Sequence, residues 1–357
     1  MSTQLAHNFM GMPVEEIIPD AAMVRGVSKS SLLTGRRRVR LAPQTSASAG
    51  TYTSATAGNS ANGNLIQFVI ADSTSLLDMN SAVLSGTVQV FGTSASRPVL
   101  DDGCPFIRRI TTSINGTLAD DTDLANRYAN ASVYASSDRA TYAGALSFAG
   151  YYAQNPALAV TGSTFTQYAV GDLSGAQIAA TARYNSSTGY QFAIPLSVLS
   201  SMYRTKQYLP LSAMGELVIQ LVCASPGEAC FQRVGATDAG YVLSDIQLEL
   251  DFVQPHFLYS EMLSRVTQLE GEQGMVVAYD ATIGTQSQSF SAATGTNNIT
   301  TSLATNNLRK IIACVTPADF IGSPNYPVCS TFPHAFLNNV QFRVGSLNNM
   351  PQMLCAY

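Results

Sequence analysis

The sequence predicts an all-β protein built from two tandem antiparallel β-sandwiches. Short apolar runs separated by turn signals occupy residues 64–255, and Tyr241–Phe252 alternates apolar and polar residues at the period of a half-buried strand. Phe257–Leu269 then carries apolar residues at helical spacing and is followed by glycines. A second set of strand signals runs from Met275 to Val344. A β-rich block, a helical connector and a second β-rich block favour a tandem sandwich.

The first block contains a hairpin signal and two short helix signals between its strands. Asn115-Gly116 favours a tight hairpin turn because both residues tolerate positive φ. Asp123–Tyr134 and the segment from Pro195 to Met202 predict short helices. Gly144–Gly189, rich in Ala, Ser, Gly and Tyr, predicts a long loop. The predicted strands are Leu65–Ile70, Ala82–Phe91, Pro105–Leu118, Tyr190–Ile194, Glu216–Cys223 and Tyr241–Phe252.

The second block is short. Eight strands of about 5–6 residues with their connections need more than the residues from Met275 to Tyr357. We therefore expect either a reduced second sandwich or a chain that is part of a longer product. The strand signals are Met275–Ile283, Gln286–Ser291, Asn307–Val315 and Phe336–Val344.

Residues 1–63 are predicted to form a basic, largely extended arm. Thr45–Gly63 consists only of Ser, Thr, Ala, Gly, Asn and one Tyr, too little apolar surface to offset the entropy of ordering. Residues 1–45 hold six basic and three acidic side chains, whereas the remainder holds 13 basic and 20 acidic ones. A basic arm is therefore expected to precede an acidic body.

Four arginines of this arm stand within five positions. Guanidinium groups on an extended segment suit bidentate contacts with phosphates of nucleic acid or lipid headgroups. The alternative is that they pair with acidic patches on neighbouring subunits. The predicted genome- or membrane-facing residues of the arm are Arg25, Lys29, Arg36, Arg37, Arg38 and Arg40.

The low charge content favours a protein that is surrounded by other subunits. Charged residues make up 12% of the chain, about half of the usual 25%. Charges buried in an interface must be paired or carry a desolvation cost, so wide subunit contacts favour such a surface. The alternative is a secreted β-protein with a hydroxyl-rich surface. We expect no signal peptide, since the start of the chain lacks a basic stretch followed by an apolar run, and no membrane span, since no run approaches about 18 uninterrupted apolar residues.

Catalytic residues are scarce, and we expect neither an enzyme nor a cofactor or metal site. Three histidines and six scattered cysteines without a C-x-x-C pair leave little material for a nucleophile system or a zinc set, so buried free thiols are expected. No Gly-Lys pair of a phosphate-binding loop and no G-x-S-x-G elbow occur. Asp101-Asp102 and Asp120-Asp121 are interpreted as solvated loop residues rather than paired catalytic carboxylates.

In order and texture these elements resemble the double jelly-roll major capsid proteins of the tectivirus and adenovirus lineage. The resemblance is strongest to the capsid proteins of polinton-like viruses and virophages. It spans residues 64–351. The segments that carry it are Ile66–Ile70, Leu76–Met79, Phe106–Ile110, Ile114–Gly116, Ile194–Leu196, Ile246–Leu250, Asn307–Ile312 and the Pro324–Pro327 loop before Phe336.

The resemblance implies a domain order and a function. The domains would be the arm at 1–63, a first jelly roll at 64–255, a helical connector at 256–274 and a short or incomplete second jelly roll at 275–357. The protein would assemble inside the host cell as homotrimeric capsomers of an icosahedral virion shell, with penton and minor capsid proteins as partners. The arm would contact viral nucleic acid or the headgroups of an internal membrane.

Two other functions remain open at this point. One is a single jelly-roll capsid protein with a projecting domain, for which a basic arm is equally typical. The other is a secreted or tail-fibre β-sandwich that binds carbohydrate. The absence of tryptophan, the usual sugar-stacking residue, disfavours the carbohydrate-binding protein.

Overall fold

The computed structural model describes residues 33–45, 52, 64–72, 74–91, 96–98, 104–129, 158–161, 164–167, 190–205, 208–232, 240–255 and 279–283. The strands are β1 Leu33–Leu41, β2 Leu65–Ile70, β3 Leu76–Phe91, β4 Ser96–Pro98, β5 Ile107–Ile114, β6 Thr117–Thr122, β7 Leu158–Thr161, β8 Thr164–Gln167, β9 Tyr190–Pro195, β10 Tyr208–Pro210, β11 Leu217–Cys223, β12 Cys230–Gln232 and β13 Gly240–Pro255. The short helices are residues 125–129, Leu196–Leu199, Leu211–Met214 and Pro226–Ala229, with 3₁₀ turns at Cys104–Phe106 and Ser201–Arg204.

Nine of these strands form two antiparallel sheets, and eight of the nine follow the order of a jelly roll. The front sheet runs β1-β13-β3, with β9 and β10 also paired to β3, and the back sheet runs β2-β11-β5-β6. Eight strands remain when β4, β7, β8, β10 and β12 are left out. Taken in chain order, the first pairs with the eighth (β1 with β13), the second with the seventh (β2 with β11), the third with the sixth (β3 with β9) and the fourth with the fifth (β5 with β6). This pairing is a long hairpin rolled into a sandwich, and it confirms the all-β jelly-roll prediction for the first block.

The core fills the space between the two sheets. In β11 (LVIQLVC) every second residue is buried, and β2 alternates in the same way, so period-two patterning turns one apolar face of each strand inward. Phe68, Leu84, Ile219 and Leu248 are fully buried members of one continuous cluster. Each large apolar side chain buried in this way contributes about 1.5–3 kcal/mol.

The two longest strands bend so that they can pair along most of their length. β3 and β13 each have 16 residues, and their register shifts between Ser244 and Gln247 and again between Glu249 and Asp251. Asp245 takes φ 53° at the first shift. Gly86 of β3 lies beside this irregularity, and a Cβ there would approach Ile246 Cδ1 to 2.5 Å. Glycine at this position therefore leaves room for the Ile246 side chain beside the bulge.

The predicted hairpin is confirmed. Asn115 and Gly116 have φ of 47° and 75°, positive at both central positions, and they join β5 to β6. The Asn115 amide donates to the Glu216 carbonyl at 2.8 Å, which ties the turn to the start of β11. This hairpin forms one edge of the back sheet.

The boundary between the predicted arm and the first jelly roll requires correction. Leu33–Leu41, assigned to the arm from the sequence, is β1, and it pairs with β13 from Leu33↔Pro255 to Leu41↔Leu248. Tyr52 is only 4% exposed, and it exchanges two backbone hydrogen bonds of 2.8 Å with Leu243. Backbone pairing and one buried aromatic ring thus order residues that the composition alone assigned to a mobile segment.

Other predictions are met in part. The segment from Pro195 to Met202 contains a helix at Leu196–Leu199 and the start of a 3₁₀ turn at Ser201. The stretch Gly144–Gly189 was predicted as loop, but its described residues form the β7–β8 hairpin. The strand predicted at Met275–Ile283 is not formed in the described part, 279–283, which is irregular.

The connector 256–274 and the rest of the second block, including its other strand signals, lie outside the described residues. Asp101-Asp102 lies outside them as well. Across the part of the chain that is described, no helix has the length and apolar character needed to span a membrane.

Candidate functional site: the basic edge strand and the Asp120 cluster

The arginine run lies on β1, the strand at one end of the front sheet. Alternation along the strand turns Val39 and Leu41 toward the core, where they pack as half-buried side chains. Arg36, Arg38 and Arg40 therefore share the opposite, outward face. The guanidinium-bearing side chains of all four arginines are 53 to 70% exposed. A run of charges on an edge strand also discourages pairing with a further strand.

Each outward arginine has a carboxylate partner on the same sheet. Arg40 lies opposite Glu249 in the β1–β13 register, with Nε and Oε1 2.9 Å apart. Arg38 lies opposite Asp251, and its Nε is 3.0 Å from Glu249 Oε2 and 3.7 Å from Asp251 Oδ1. These are cross-strand pairs on one sheet face, the arrangement that stabilises sheets through their side chains.

Arg36 bridges two carboxylates that face each other. Asp78 of β3 and Asp251 of β13 are direct register partners. Like charges in that position are destabilising. The Arg36 Nε donates to Asp251 Oδ2 at 2.8 Å, and its Nη2 donates to Asp78 Oδ2 at 2.9 Å. One guanidinium therefore offsets the repulsion between two adjacent strands.

Arg37 points to the other face of β1. Its guanidinium donates to Asp72, and its Cζ lies 5.3 Å from the centre of the Phe252 ring, within the range of a cation–π contact. Burial raises the pKa of Asp72, but hydrogen bonds from the Thr74 amide and hydroxyl, the Ser75 amide and Arg37 outweigh it, and the net pKa is lowered. Asp72 is thus held ionised beside Arg37.

The four β1 arginines of the predicted phosphate-binding set therefore form ion pairs within the chain. Their carboxylate partners are Asp72, Asp78, Glu249 and Asp251; Arg36 contacts two of them, and Glu249 is shared by Arg38 and Arg40. The alternative given by the sequence was that these arginines pair with acidic patches on neighbouring subunits. The arginines do pair with acidic side chains, but these side chains belong to the same chain. An anionic ligand would have to compete with them. Arg25 and Lys29 lie outside the described residues.

A second polar cluster surrounds Asp120 on β6. Strand alternation sends Asp120 inward, only 3% exposed, and sends Asp121 outward, where it pairs with Arg109. The interpretation of Asp120-Asp121 as solvated loop residues is therefore wrong, because both belong to a strand. The two carboxylates point to opposite faces of the sheet. They are not arranged as a catalytic pair.

Donors from three segments converge on Asp120. Ser200 and Thr122 donate their hydroxyls to Oδ2, Thr122 at 3.3 Å, and the Thr282 amide donates to Oδ1 at 3.3 Å. Burial raises the pKa of Asp120, these three hydrogen bonds lower it, the charge of Asp121 raises it, and the net pKa is raised. Such a carboxylate depends on its donors, since leaving one unsatisfied inside a protein is costly.

Further hydrogen bonds extend the cluster to the neighbouring elements. The Ser201 hydroxyl lies 2.7 Å from that of Thr282 and 2.8 Å from that of Tyr128. Tyr279 donates to the Ala119 carbonyl at 2.6 Å. The network thus links β6, the helix at 125–129, the turn after Leu199 and the segment 279–283.

The described cysteines are buried thiols, as expected. Cys104, Cys223 and Cys230 are buried and form no disulfide, and burial raises the pKa of Cys223 to about 12. A thiol that is protonated and enclosed is a poor nucleophile and a poor metal ligand. No group of three or more potential metal ligands occurs among the described residues.

A groove lies beside Arg108 and Arg109, and both arginines form ion pairs within the chain. Arg109 pairs with Asp121, and Arg108 pairs with Asp123 and Glu228.

These features define a jelly-roll protein with a filled interior and an ion-paired edge. No protein-family model matches the chain, and no curated protein matches it. Among solved structures it is similar to a chain of the quasi-atomic model of the PBCV-1 virus capsid, with a TM-score of 0.35 and 13% identity over 65% of this chain and 45% of that chain. It is also similar to PBCV-1 VP54 fitted into a cryo-EM reconstruction of the virophage Sputnik, with a TM-score of 0.32, 12% identity and the same coverage. The chain spans less than half the length of each.

Proposed function

We propose that the chain is a structural capsid protein that self-assembles into a viral shell and catalyses no reaction. The observation that carries the proposal is a complete jelly roll whose interior is packed with side chains. Phe68, Tyr203 and Tyr241 are fully buried between the sheets. The space that other jelly-roll proteins use for a ligand is therefore occupied in this one.

The chemistry of the described residues supports this function over the other uses of the fold. A cupin places metal ligands inside its sandwich, and the described residues contain no such group. A carbohydrate-binding sandwich uses exposed aromatic platforms, and the chain has no tryptophan. Four large apolar side chains are exposed among the described residues and are available for subunit contacts: Phe91, Leu118, Tyr208 and Ile283.

The assembly that we propose is a homotrimeric capsomer in an icosahedral shell, with penton and minor capsid proteins as further partners and the virion as the location. Its support is the resemblance of the sequence elements to double jelly-roll capsid proteins and the charge content of 12%, which suits broad interfaces. Contact with the genome or an internal membrane is proposed for Arg25 and Lys29 together with the β1 arginines. Because the β1 arginines already have carboxylate partners, their share of that binding should be small.

A single jelly-roll capsid protein is the second candidate. The observation that favours it is that one complete eight-stranded roll is formed by residues between Leu33 and Pro255. Residues 279–283 lie against this roll in an irregular conformation instead of extending a strand. The two candidates differ in what residues 284–357 form, and an experimental structure of the full chain separates them.

Light scattering coupled to size exclusion tests the proposal. A trimer, or larger closed assemblies, over a wide range of protein concentration is the expected result. A monomer at every concentration would contradict self-assembly and would favour the secreted or tail-fibre β-sandwich that binds carbohydrate. A glycan array then provides the second readout, since binding at millimolar affinity or better would support the carbohydrate-binding protein.

A further inference from the structure

The segment 279–283 is joined to the jelly roll by polar contacts between residues far apart in the sequence. Tyr279 and Thr282 are the half-buried members of this segment, whereas Asp280, Ala281 and Ile283 are exposed, Ile283 to 57%. Tyr279 hydrogen bonds to β6, and Thr282 hydrogen bonds both to β6 and to the turn after Leu199. The contacts span 160 to 162 residues to β6 and 81 to Ser201.

We propose that Asp120 is the centre of a docking surface that fixes the C-terminal block of this chain on the first jelly roll. The surface consists of Ala119, Asp120, Thr122 and Ser201, and its occupant is the segment 279–283. The inference is independent of the capsid function, because it rests only on contacts within the chain.

The first support is the need of a buried carboxylate for donors. Ser200 and Thr122 belong to the roll itself, and both serve Oδ2 of Asp120. Among the described contacts, Oδ1 receives its hydrogen bond from the Thr282 amide. Removing the segment would take this donor away from a carboxylate that is 3% exposed in the docked structure. Docking therefore supplies a hydrogen bond to a carboxylate that is buried when the segment is in place.

The second support is that the contacts fix an orientation. Tyr279 donates to the Ala119 carbonyl and Thr282 donates to the Asp120 carboxylate, so two residues on one side of the segment meet two neighbouring positions on β6. The Thr282 hydroxyl adds a third contact at Ser201, and the Thr282 carbonyl accepts a fourth hydrogen bond from the Thr122 hydroxyl at 3.2 Å. Apolar contacts tolerate sliding, whereas four directional hydrogen bonds define one register.

Hydrogen exchange of the full-length protein, measured by mass spectrometry, tests the proposal with a matched pair of variants. Asp120→Ala removes the acceptor, and exchange in 279–283 should become about tenfold faster or more, as expected for a segment released into local opening. Asp121→Ala is the control, because this neighbouring carboxylate lies on the opposite face and pairs with Arg109. Its exchange in 279–283 should match the native protein. A folded Asp120→Ala variant with native protection of the segment would overturn the proposal.

A second variant keeps the test decisive if Asp120→Ala does not fold. The double substitution Tyr279→Phe with Thr282→Val removes both hydroxyl contacts from the docked side and leaves every side chain of the jelly roll in place. Faster exchange in 279–283 with unchanged exchange in β5 and β6 supports the docking surface. Unchanged exchange in all three segments would overturn it.

Discussion

Replacing Arg36 with alanine should weaken the fold itself, because this guanidinium separates two opposed carboxylates. Asp78 and Asp251 are register partners on β3 and β13, and their side chains are 16% and 14% exposed. Directly opposite side chains have Cβ atoms about 4.5–5.5 Å apart. Two charges about 5 Å apart repel by about 1 kcal/mol in water and about 3 kcal/mol at an effective dielectric constant of about 20. Partial exposure places the expected loss at about 1–2 kcal/mol.

Arg40→Ala is the matched control. Arg40 is 70% exposed and pairs with Glu249. Its removal should cost less than about 1 kcal/mol. Adding Asp78→Asn to Arg36→Ala should restore part of the lost stability, because only one carboxylate then remains at the opposed position.

Urea unfolding followed by circular dichroism measures the three differences. Equal losses for Arg36→Ala and Arg40→Ala would refute the bridging function of Arg36. So would a double variant that is no more stable than Arg36→Ala alone. High salt should narrow the difference between the Arg36→Ala variant and the native protein, since both the bridge and the repulsion are screened at partly exposed sites.

Three further predictions concern the hairpin, a buried hydroxyl and pH. Gly116→Ala should lower the free energy of unfolding by about 1–2 kcal/mol through its φ of 75° alone, because no atom lies within 4 Å of the added Cβ; a neutral result in thermal unfolding would contradict this. Tyr241→Phe should cost about 1–3 kcal/mol in urea unfolding by leaving the buried Ala224 carbonyl without its hydroxyl donor, and a loss well below this range would show that the hydrogen bond contributes little. Asp120 has a raised pKa in the fold, so relative to Asp120→Asn the native protein should lose stability as pH rises from the ordinary 3.8 through that raised pKa. Stabilities of the native protein and of Asp120→Asn that change in parallel as pH rises from 3.8 through the raised pKa would refute the assignment for Asp120. Asp72, whose pKa is lowered, should contribute stability that is lost as pH falls through that lowered pKa.

The strands that alternate cleanly were predictable from the sequence. β11 and β13 bury every second residue over most of their length, and the Asn115-Gly116 turn specifies its hairpin with two residues. The strand β1 was missed because its outward face and one inward position are arginine. The apolar residues Val39 and Leu41 are too few to show a period of two. A charged edge strand resembles a flexible basic arm when only the sequence is considered.

The Asp120 cluster had no local signal. Asp120-Asp121 has the composition of a turn, and only the pairing of β6 with β5 places one carboxylate inside and the other outside. The donor from Thr282 lies 162 residues away, a separation at which a single sequence carries no information on contact. The paired state of the arginines was equally hidden, because Asp78 and Glu249 reach them only through the sheet register.

The most direct test of the central claim, that this jelly roll is a shell subunit, is electron microscopy of the purified protein. Trimers with a hexagonal outline, or closed shells, are the predicted result. Uniform monomeric particles that never associate, even at high protein concentration, would contradict it.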